Sequence, residues 1–227
     1  MTPRAEHTKA RLRSAALAVV REKGVGGASA RTIAAAAGVN QALIFYHFDS
    51  VSELIEAASD EAVEARVRLY RDAFAGVESL SDLLAIARKV HEQERQAGSM
   101  TVMAQIMAGA QSDPVLARAG RHALAAWTAE VDQVLRRVLV TSPLGSLIDR
   151  AGLAQLVSAA FIGIELYHGA DPEAADLAFS TIEHLNDVLS ALEGLGPASQ
   201  RALRMASAQV GKRVARGAQA SDRTAVD

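Results

Sequence analysis

Residues 36–50 read AAGVNQALIFYHFDS, which places Gly38 between a run of alanines and a segment that ends in three aromatic residues and a histidine. Only 4% of the 227 residues are aromatic, yet Phe45, Tyr46 and Phe48 lie within four positions. A core-forming helix spaces its large residues three and four apart. Adjacent aromatic residues must therefore point in several directions, and some are expected to face away from the core.

The composition limits the classes of protein to which the chain can belong. Half of the residues are hydrophobic and 22% are charged, which suits one or two packed domains and argues against general disorder. The absence of cysteine excludes disulfides, thiolate metal sites and a cysteine nucleophile. No apolar run approaches the roughly 18 residues of a membrane span, and the N-terminus lacks the apolar segment of a signal peptide. We expect a soluble, cytoplasmic protein.

The charge is unevenly distributed along the chain. Residues 1–48 contain seven Lys or Arg against two Glu, a net charge of +5, so the formal total of −2 leaves −7 on the remainder. A basic N-terminal segment on an acidic body predicts that the N-terminal segment alone binds a polyanion.

The chain is predicted to be all-α, because alanine and leucine are abundant and no Asn-Gly or Asp-Gly hairpin signal is present. The first 75 residues predict four helices. They are expected at Glu6–Glu22, stopped by KGVGG; at Ala30–Ala37, capped by Ser29 and ended by Gly38; at Gln41–His47, capped by Asn40; and from Ser50 or Ser52 to about Phe74.

Five further helices are predicted in the rest of the chain. They begin near Ser81, at residue 100, after the SDP at residues 112–114, at residue 151 and at Pro172, with TSPLGSLID at 141–149 as the clearest loop. A last helix is expected within residues 197–214. The predicted division is a helix-turn-helix domain at 1–50, a helical effector-binding and dimerisation domain at 51–210, and a disordered tail at 211–227.

Two short helices joined by a glycine turn, behind a longer helix, form a helix-turn-helix arrangement. Ala34 and Ala37 allow the next helix to cross closely, and Gly38 supplies a positive-φ turn residue. Ile33 and Ile44 are the expected buried anchors.

The N-terminal end of the third helix is then left on the outside, where a DNA-binding helix-turn-helix meets base edges. Gln41 can pair with adenine, and Ala42 and Leu43 can meet a thymine methyl group. Tyr46 and His47 can donate to phosphate oxygens. Phe48, and Phe45 in part, are expected to fold back on the core.

Residues 29–54, SARTIAAAAGVNQALIFYHFDSVSEL, resemble the DNA-binding segment of the TetR (tetracycline repressor) family. The resemblance implies a homodimeric, ligand-responsive transcription regulator, usually a repressor, that binds a palindromic operator in double-stranded DNA. Two positions depart from the usual pattern, because Phe45 replaces a tyrosine and Val51 replaces a lysine that holds phosphate. By position, the implied DNA-binding residues are Arg31, Thr32, Gln41, Ala42, Leu43, Phe45, Tyr46 and His47.

Two other classes of protein are weighed beside this one. Glu165 and His168 have the Glu-x-x-His spacing of di-iron bundles, but the sequence contains no second such pair. HEQER at 91–95 lacks the second histidine of a zinc protease helix, and no phosphate-binding glycine motif is present. An all-helical enzyme would show turnover without DNA affinity, whereas a scaffold would bind partners without DNA selectivity. We expect neither of them, and no metal or cofactor.

The body contains two sets of apolar residues with candidate roles. Met100, Met103, Met107, Trp127 and Phe161 could line a cavity for an apolar or aromatic effector, or simply pack the core. Gln105, His91 and Glu165 are the candidate polar groups of such a cavity. A four-helix homodimer interface is expected from residues 152–169 and 173–192, with Val157, Phe161, Ile164, Ile182, Leu185 and Leu189 on the contacting stripes.

Overall fold

The computed structural model describes residues 3–142, 145, 148–203 and 205–206. Over this part the chain is all-α, as predicted, and contains no strand. None of the described helices is long and apolar enough to cross a membrane. The helices are α1 (Pro3–Gly27), α2 (Ala30–Ala37), α3 (Ala42–His47), α4 (Val51–Ala75), α5 (Leu80–Ala97), α6 (Ser99–Gly109), α7 (Pro114–Thr141), α8 (Arg150–Ala170) and α9 (Pro172–Glu193).

The head, which we define as α1–α3, follows the predicted boundaries closely. The backbone of α1 leaves helical geometry at Gly24, with φ 69°, inside the predicted KGVGG stop. Ser29 caps α2 by accepting from the Thr32 N–H, and Gly38 ends it at φ 61°. Because that φ is left-handed, glycine is the residue that adopts it with little strain.

Ser50 and Ser52 were the two candidate caps for the start of α4. Ser50 is the cap, since its Oγ accepts from the Glu53 N–H at 3.0 Å. Ser52 instead donates to Asp113 at 2.5 Å and joins α4 to the start of α7.

Helix α5 begins at Leu80, one residue before the predicted start near Ser81. The cap is Ser79, which accepts from the Asp82 N–H while the Asp82 carboxylate accepts from the Ser79 N–H at 3.0 Å. Ser81 is already inside the helix, where its hydroxyl donates to Asn186 of α9 at 2.8 Å. Ser79 is thus the cap, and Ser81 makes a contact between α5 and α9.

The core of the head continues into the rest of the molecule. Leu12, Ile33 and Ile44 are fully buried and share one cluster with Ile106 of α6 and Leu116 of α7. The core therefore contains residues from both sides of position 50, and the predicted domain boundary at residue 50 stays a prediction. A second cluster joins the C-terminal half of α4 to α5, α7 and α8. The single 25-residue helix α4 thus runs from the head core to the body core.

Part of the predicted C-terminal segment is helical, at residues 197–203 and 205–206. The rest of the helix expected within 197–214 and the predicted disordered tail at 211–227 lie outside the described residues. The predicted loop at 141–149 lies only partly within them.

Candidate DNA-binding surface and effector cavity

Helix α3 is fixed by one face and leaves the other exposed. Ile44 is fully buried, and Val39 and Leu43 pack partly buried against the same cluster. Gln41 and Ala42 are exposed at the N-terminal end of the helix. The predicted base-reading end is therefore accessible, with the exception of the half-buried Leu43.

The N-terminus of α3 is capped by a neighbour of Gln41. Asn40 Oδ1 accepts from the Ala42 N–H at 2.8 Å, whereas the Gln41 side chain makes no capping bond. The Gln41 amide thus remains available for a bidentate contact with a base edge.

The aromatic end of α3 divides between the core and the surface, as the opening segment predicted. Phe48 is half-buried against the head cluster, while Tyr46 is 78% exposed and Phe45 55% exposed. The Tyr46 and His47 rings meet edge to face at 4.9 Å. Phe45 was expected to fold back in part, and it is covered over less than half of its surface.

Helix α2 contributes two candidate contacts of different kinds. Arg31 is exposed. Thr32 is half-buried, and its hydroxyl accepts from the Ser29 N–H at 2.9 Å and donates to the Gly27 carbonyl at 3.0 Å. Thr32 therefore belongs to the cap of α2, and a DNA contact by its hydroxyl would compete with these bonds.

Two basic residues of the head serve its structure. The guanidinium of Arg11 donates to the carbonyl oxygens of Ala37 and Gly38, which fastens the turn before α3 to α1. Arg13 forms an ion pair with Glu61 of α4. In the charge count from the sequence both arginines are available to a polyanion, because sequence spacing does not show which carbonyl or carboxylate each one contacts.

A cavity of about 380 Å³ lies between the head and the body. Four of the five predicted lining residues border it, namely Met100, Met103, Trp127 and Phe161. Met107 is the exception, since it packs in the cluster of Val63 and Ala123. A Cβ added at Gly120 would lie 2.8 Å from the Met107 sulfur, so the glycine makes room for that packing.

The cavity contains a buried polar group that sequence analysis missed. Glu94 is 2% exposed, and its carboxylate accepts from the Tyr70 hydroxyl at 2.7 Å and lies 3.5 Å from Arg66 Nε. Burial, together with the bond to Glu94, raises the pKa of Tyr70 to about 12. A usable signal was the spacing of His91 and Glu94, which lie one turn apart on the same face of α5.

His91 also lines the cavity, as proposed from the sequence. It is 3% exposed between the rings of Phe161, at 5.3 Å, and Phe179, at 4.5 Å. Burial lowers the pKa of His91 and outweighs the opposite effect of Glu165. Its Nδ1 is buried and has no hydrogen-bond partner among the residues that the structure describes.

The other two candidate polar groups do not border the cavity. Gln105 accepts from the Val25 N–H at 3.4 Å and joins α6 to the head. Glu165 accepts from the Thr101 hydroxyl at 3.0 Å, and His168 pairs with Arg95 at 2.9 Å. Glu165 and His168 thus have separate partners, and the described residues contain no group of metal-ligating side chains.

The predicted dimer stripe of α8 faces the interior. Val157 and Phe161 line the cavity, and Ile164 is only 9% exposed. On α9, Leu185 is 56% exposed, whereas Ile182 and Leu189 are half-buried. The spacing of apolar residues identified the apolar faces of α8 and α9, but it does not show which of these faces packs against the rest of the body. The large hydrophobic residues exposed on these helices are Leu156, Leu166 and Tyr167 of α8 and Leu177, Leu185 and Val188 of α9.

Comparison with known proteins gives this arrangement a context. Residues 12–58, from α1 into α4, match the model of the family described as bacterial regulatory proteins, tetR family. An uncharacterized HTH-type transcriptional regulator of Mycobacterium tuberculosis is 24% identical over 133 residues, which cover 59% of this chain and 68% of that protein.

Two solved structures show the same fold over most of the chain. GusR of Salmonella enterica has a TM-score of 0.66 at 22% identity, covering 86% of this chain and 98% of that one. FadR of Bacillus subtilis, solved in complex with stearoyl-CoA, has a TM-score of 0.66 at 14% identity, covering 82% and 99%. The fold is therefore shared across chains whose sequences have diverged widely.

Proposed function

We propose that this chain, a member of the TetR family of bacterial regulatory proteins, is a repressor released by a small apolar effector. Its relatives make it a DNA-binding transcriptional regulator and not an enzyme. In this proposal a homodimer binds a palindromic operator. Its site of action is the cytoplasm, where the chromosome of a bacterium lies.

The observation that carries the proposal is that α3 has one buried residue that anchors it and exposed residues at both ends. Ile44 fixes the helix to the head core, while Gln41 and Tyr46 are left exposed at its two ends. A helix held in this way can enter the major groove with Gln41 foremost. Tyr46 and His47 would then lie near the phosphate backbone, where contacts position the protein without reading sequence.

Homodimer formation is supported by the exposed apolar residues of α8 and α9. Leu166, Tyr167 and Leu177 are each more than half exposed, as is Leu185. Contiguous apolar surface on adjacent helices is typical of an interface. A twofold axis through this surface would pair α8 and α9 with their copies and present two α3 helices to two half-sites.

Release by an effector is supported by the position of the cavity. Its lining is mainly apolar and includes Val63 and Phe74 of α4. The same helix begins against the head, so a tilt of α4 would change the separation of the two α3 helices. An effector acts only if it binds the DNA-incompetent arrangement more tightly. Coupling of about 1–3 kcal/mol would lower operator affinity by roughly 5–150-fold.

The decisive experiment is selection of bound duplexes from a random pool by the purified full chain. An inverted repeat with half-sites about one helical turn apart supports the proposal. Recovery of sequences without a shared motif contradicts it and favours a scaffold. Reporter transcription from the selected operator, with and without the regulator, then separates repression from activation.

A further inference from the structure

The cavity is bordered by the head itself, and not only by the body. Ser14, Leu17, Ala18 and Arg21 of α1 line it together with residues of α4–α8. Because α1 shares its core with α2 and α3, any molecule that touches this part of the lining touches the DNA-binding unit directly.

The cavity is also elongated. Along α4 its lining extends from Ser59 to Phe74, which corresponds to about 22 Å of helix axis at 1.5 Å per residue. A compact aromatic ligand would occupy part of that length, whereas a linear molecule could occupy all of it.

Few charged groups border the cavity. Near Phe74 the lining includes the apolar Leu83 and Val131. Helix α1 contributes the polar Ser14 and Arg21 beside the apolar Leu17 and Ala18. The other polar residues of the lining are Ser59, Arg66, His91, Glu94, Ser99 and Ser158.

Arg21 carries the unbalanced charge of this lining. Arg66 is the counter-ion of Glu94, at 3.5 Å. In the part of the chain that the structure describes, Arg21 has no carboxylate within ion-pair distance, and its guanidinium reaches only the Ala97 carbonyl, at 3.5 Å. A guanidinium at the edge of an apolar cavity suits a carboxylate, which it can bind through two parallel hydrogen bonds.

The side chain of Arg21 passes close to Gly98, between α5 and α6. Gly98 has φ 75°, and a Cβ there would lie only 2.5 Å from Arg21 Cδ. The glycine therefore serves the left-handed turn and also leaves room for the exposed Arg21 side chain.

We propose that the α1 end of the cavity is a subsite for the anionic group of an elongated apolar effector, bound by Arg21, so that one ligand contacts head and body together. The regulatory consequence rests on the proposed function, whereas the binding itself does not involve DNA. The ligand class is a linear monoanion with its apolar chain directed toward Trp127 and Phe74.

The binding test compares two probes of equal chain length, dodecanoate and dodecan-1-ol, titrated below their aggregation limits while Trp127 emission is followed. The wild-type protein should bind dodecanoate at least about tenfold more tightly than the alcohol, because a hydrogen-bonded charge pair forms with the carboxylate alone. Arg21→Gln should remove that preference, and Arg21→Lys should restore part of it.

Lys23→Gln is the matched control. It removes the same charge from the same helix, but Lys23 does not line the cavity, so the preference for dodecanoate should remain. The proposal is overturned if Arg21→Gln leaves the preference intact, if the alcohol binds as tightly as the carboxylate, or if neither probe binds.

The regulatory test uses the selected operator. Dodecanoate should release the wild-type and Lys23→Gln proteins at concentrations that leave Arg21→Gln bound. If none of the three proteins binds a selected duplex, the proposed function fails but the probe comparison stands. If all three bind the operator and respond equally to dodecanoate, the subsite alone fails.

Discussion

The hydroxyl of Tyr70 on α4 donates a 2.7 Å hydrogen bond to the carboxylate of Glu94 on α5, and both side chains are buried. This bond joins the helix that reaches the head to one wall of the cavity. Arg66 lies 3.5 Å from the same carboxylate, so a buried charge is balanced by one partner and hydrogen-bonded by another. Such a group stabilises the fold only while both partners remain.

Tyr70→Phe should therefore destabilise the protein by about 1–3 kcal/mol, the usual cost of leaving a buried polar partner without its bond. Urea unfolding at pH 8 measures the change. Tyr46→Phe is the control, because Tyr46 is 78% exposed and lies outside the proposed dimer surface, and it should change the free energy of unfolding by less than about 0.5 kcal/mol. Equal effects of the two substitutions would contradict the role assigned to the Tyr70 hydroxyl.

The same bond should give the protein an alkaline limit. The pKa of Tyr70 is raised from its ordinary value of 10.0 to about 12 in the folded state, so the unfolded chain loses this proton first as pH rises. The stabilisation is complete below pH 10 and is lost as pH rises toward 12. Free energies of unfolding between pH 8 and 11.5 should fall more steeply for the wild-type protein than for Tyr70→Phe, and parallel curves would be the contrary result.

His91 should make stability depend on acid. Burial lowers its pKa in the folded state from 6.5, so the unfolded chain binds this proton first as pH falls. The free energy of unfolding should therefore decrease as pH falls below about 6.5. His91→Gln should weaken that dependence between pH 7.5 and 5, whereas His7→Gln, at an exposed position of α1, should preserve it. A slope unaffected by His91→Gln would refute the prediction.

Gln41→Ala should reduce operator affinity by roughly 1–3 kcal/mol and relax base preference at one position of each half-site. His47→Ala should instead weaken binding to all sequences to a similar degree, because phosphate contacts do not distinguish bases. Repeating the duplex selection with each variant checks both outcomes. A selected motif unchanged by Gln41→Ala would mean that α3 lies in the groove in another register.

Leu185→Glu should dissociate the proposed homodimer. Two glutamates brought together near a twofold axis would repel each other and replace apolar contact, and the dissociation constant should rise at least about tenfold. Sedimentation velocity at micromolar concentration measures it. Leu69→Glu is the matched control, since Leu69 is 63% exposed on α4, a helix that is not part of the proposed interface. Comparable dissociation by this variant would argue against the assigned face.

The helices of the head could be predicted from the sequence because their signals are local. Ser29 and Gly38 act through hydrogen bonds and φ angles within a few residues of themselves, so the boundaries of α2 follow from composition and spacing. For α4 the same signals left Ser50 and Ser52 as alternative caps, and the structure shows Ser50. The exposure of Tyr46 beside the buried Ile44 follows in the same way, since a two-turn helix cannot bury adjacent large residues on one face.

The cavity and the free surface of the body depend on contacts between distant segments. Phe161 and Ile164 belong to an apolar stripe that suits a dimer interface and an interior equally well, and the packing of α8 against α6 and α7 turns that stripe inward. In the sequence Arg21 is one of several charges of a basic N-terminal segment. Only the fold brings Gly98, 77 residues away, close to the Arg21 side chain. Periodicity records which residues share a helix face, but the partner of that face is fixed by the arrangement of all the helices, because burial depends on what each neighbour covers.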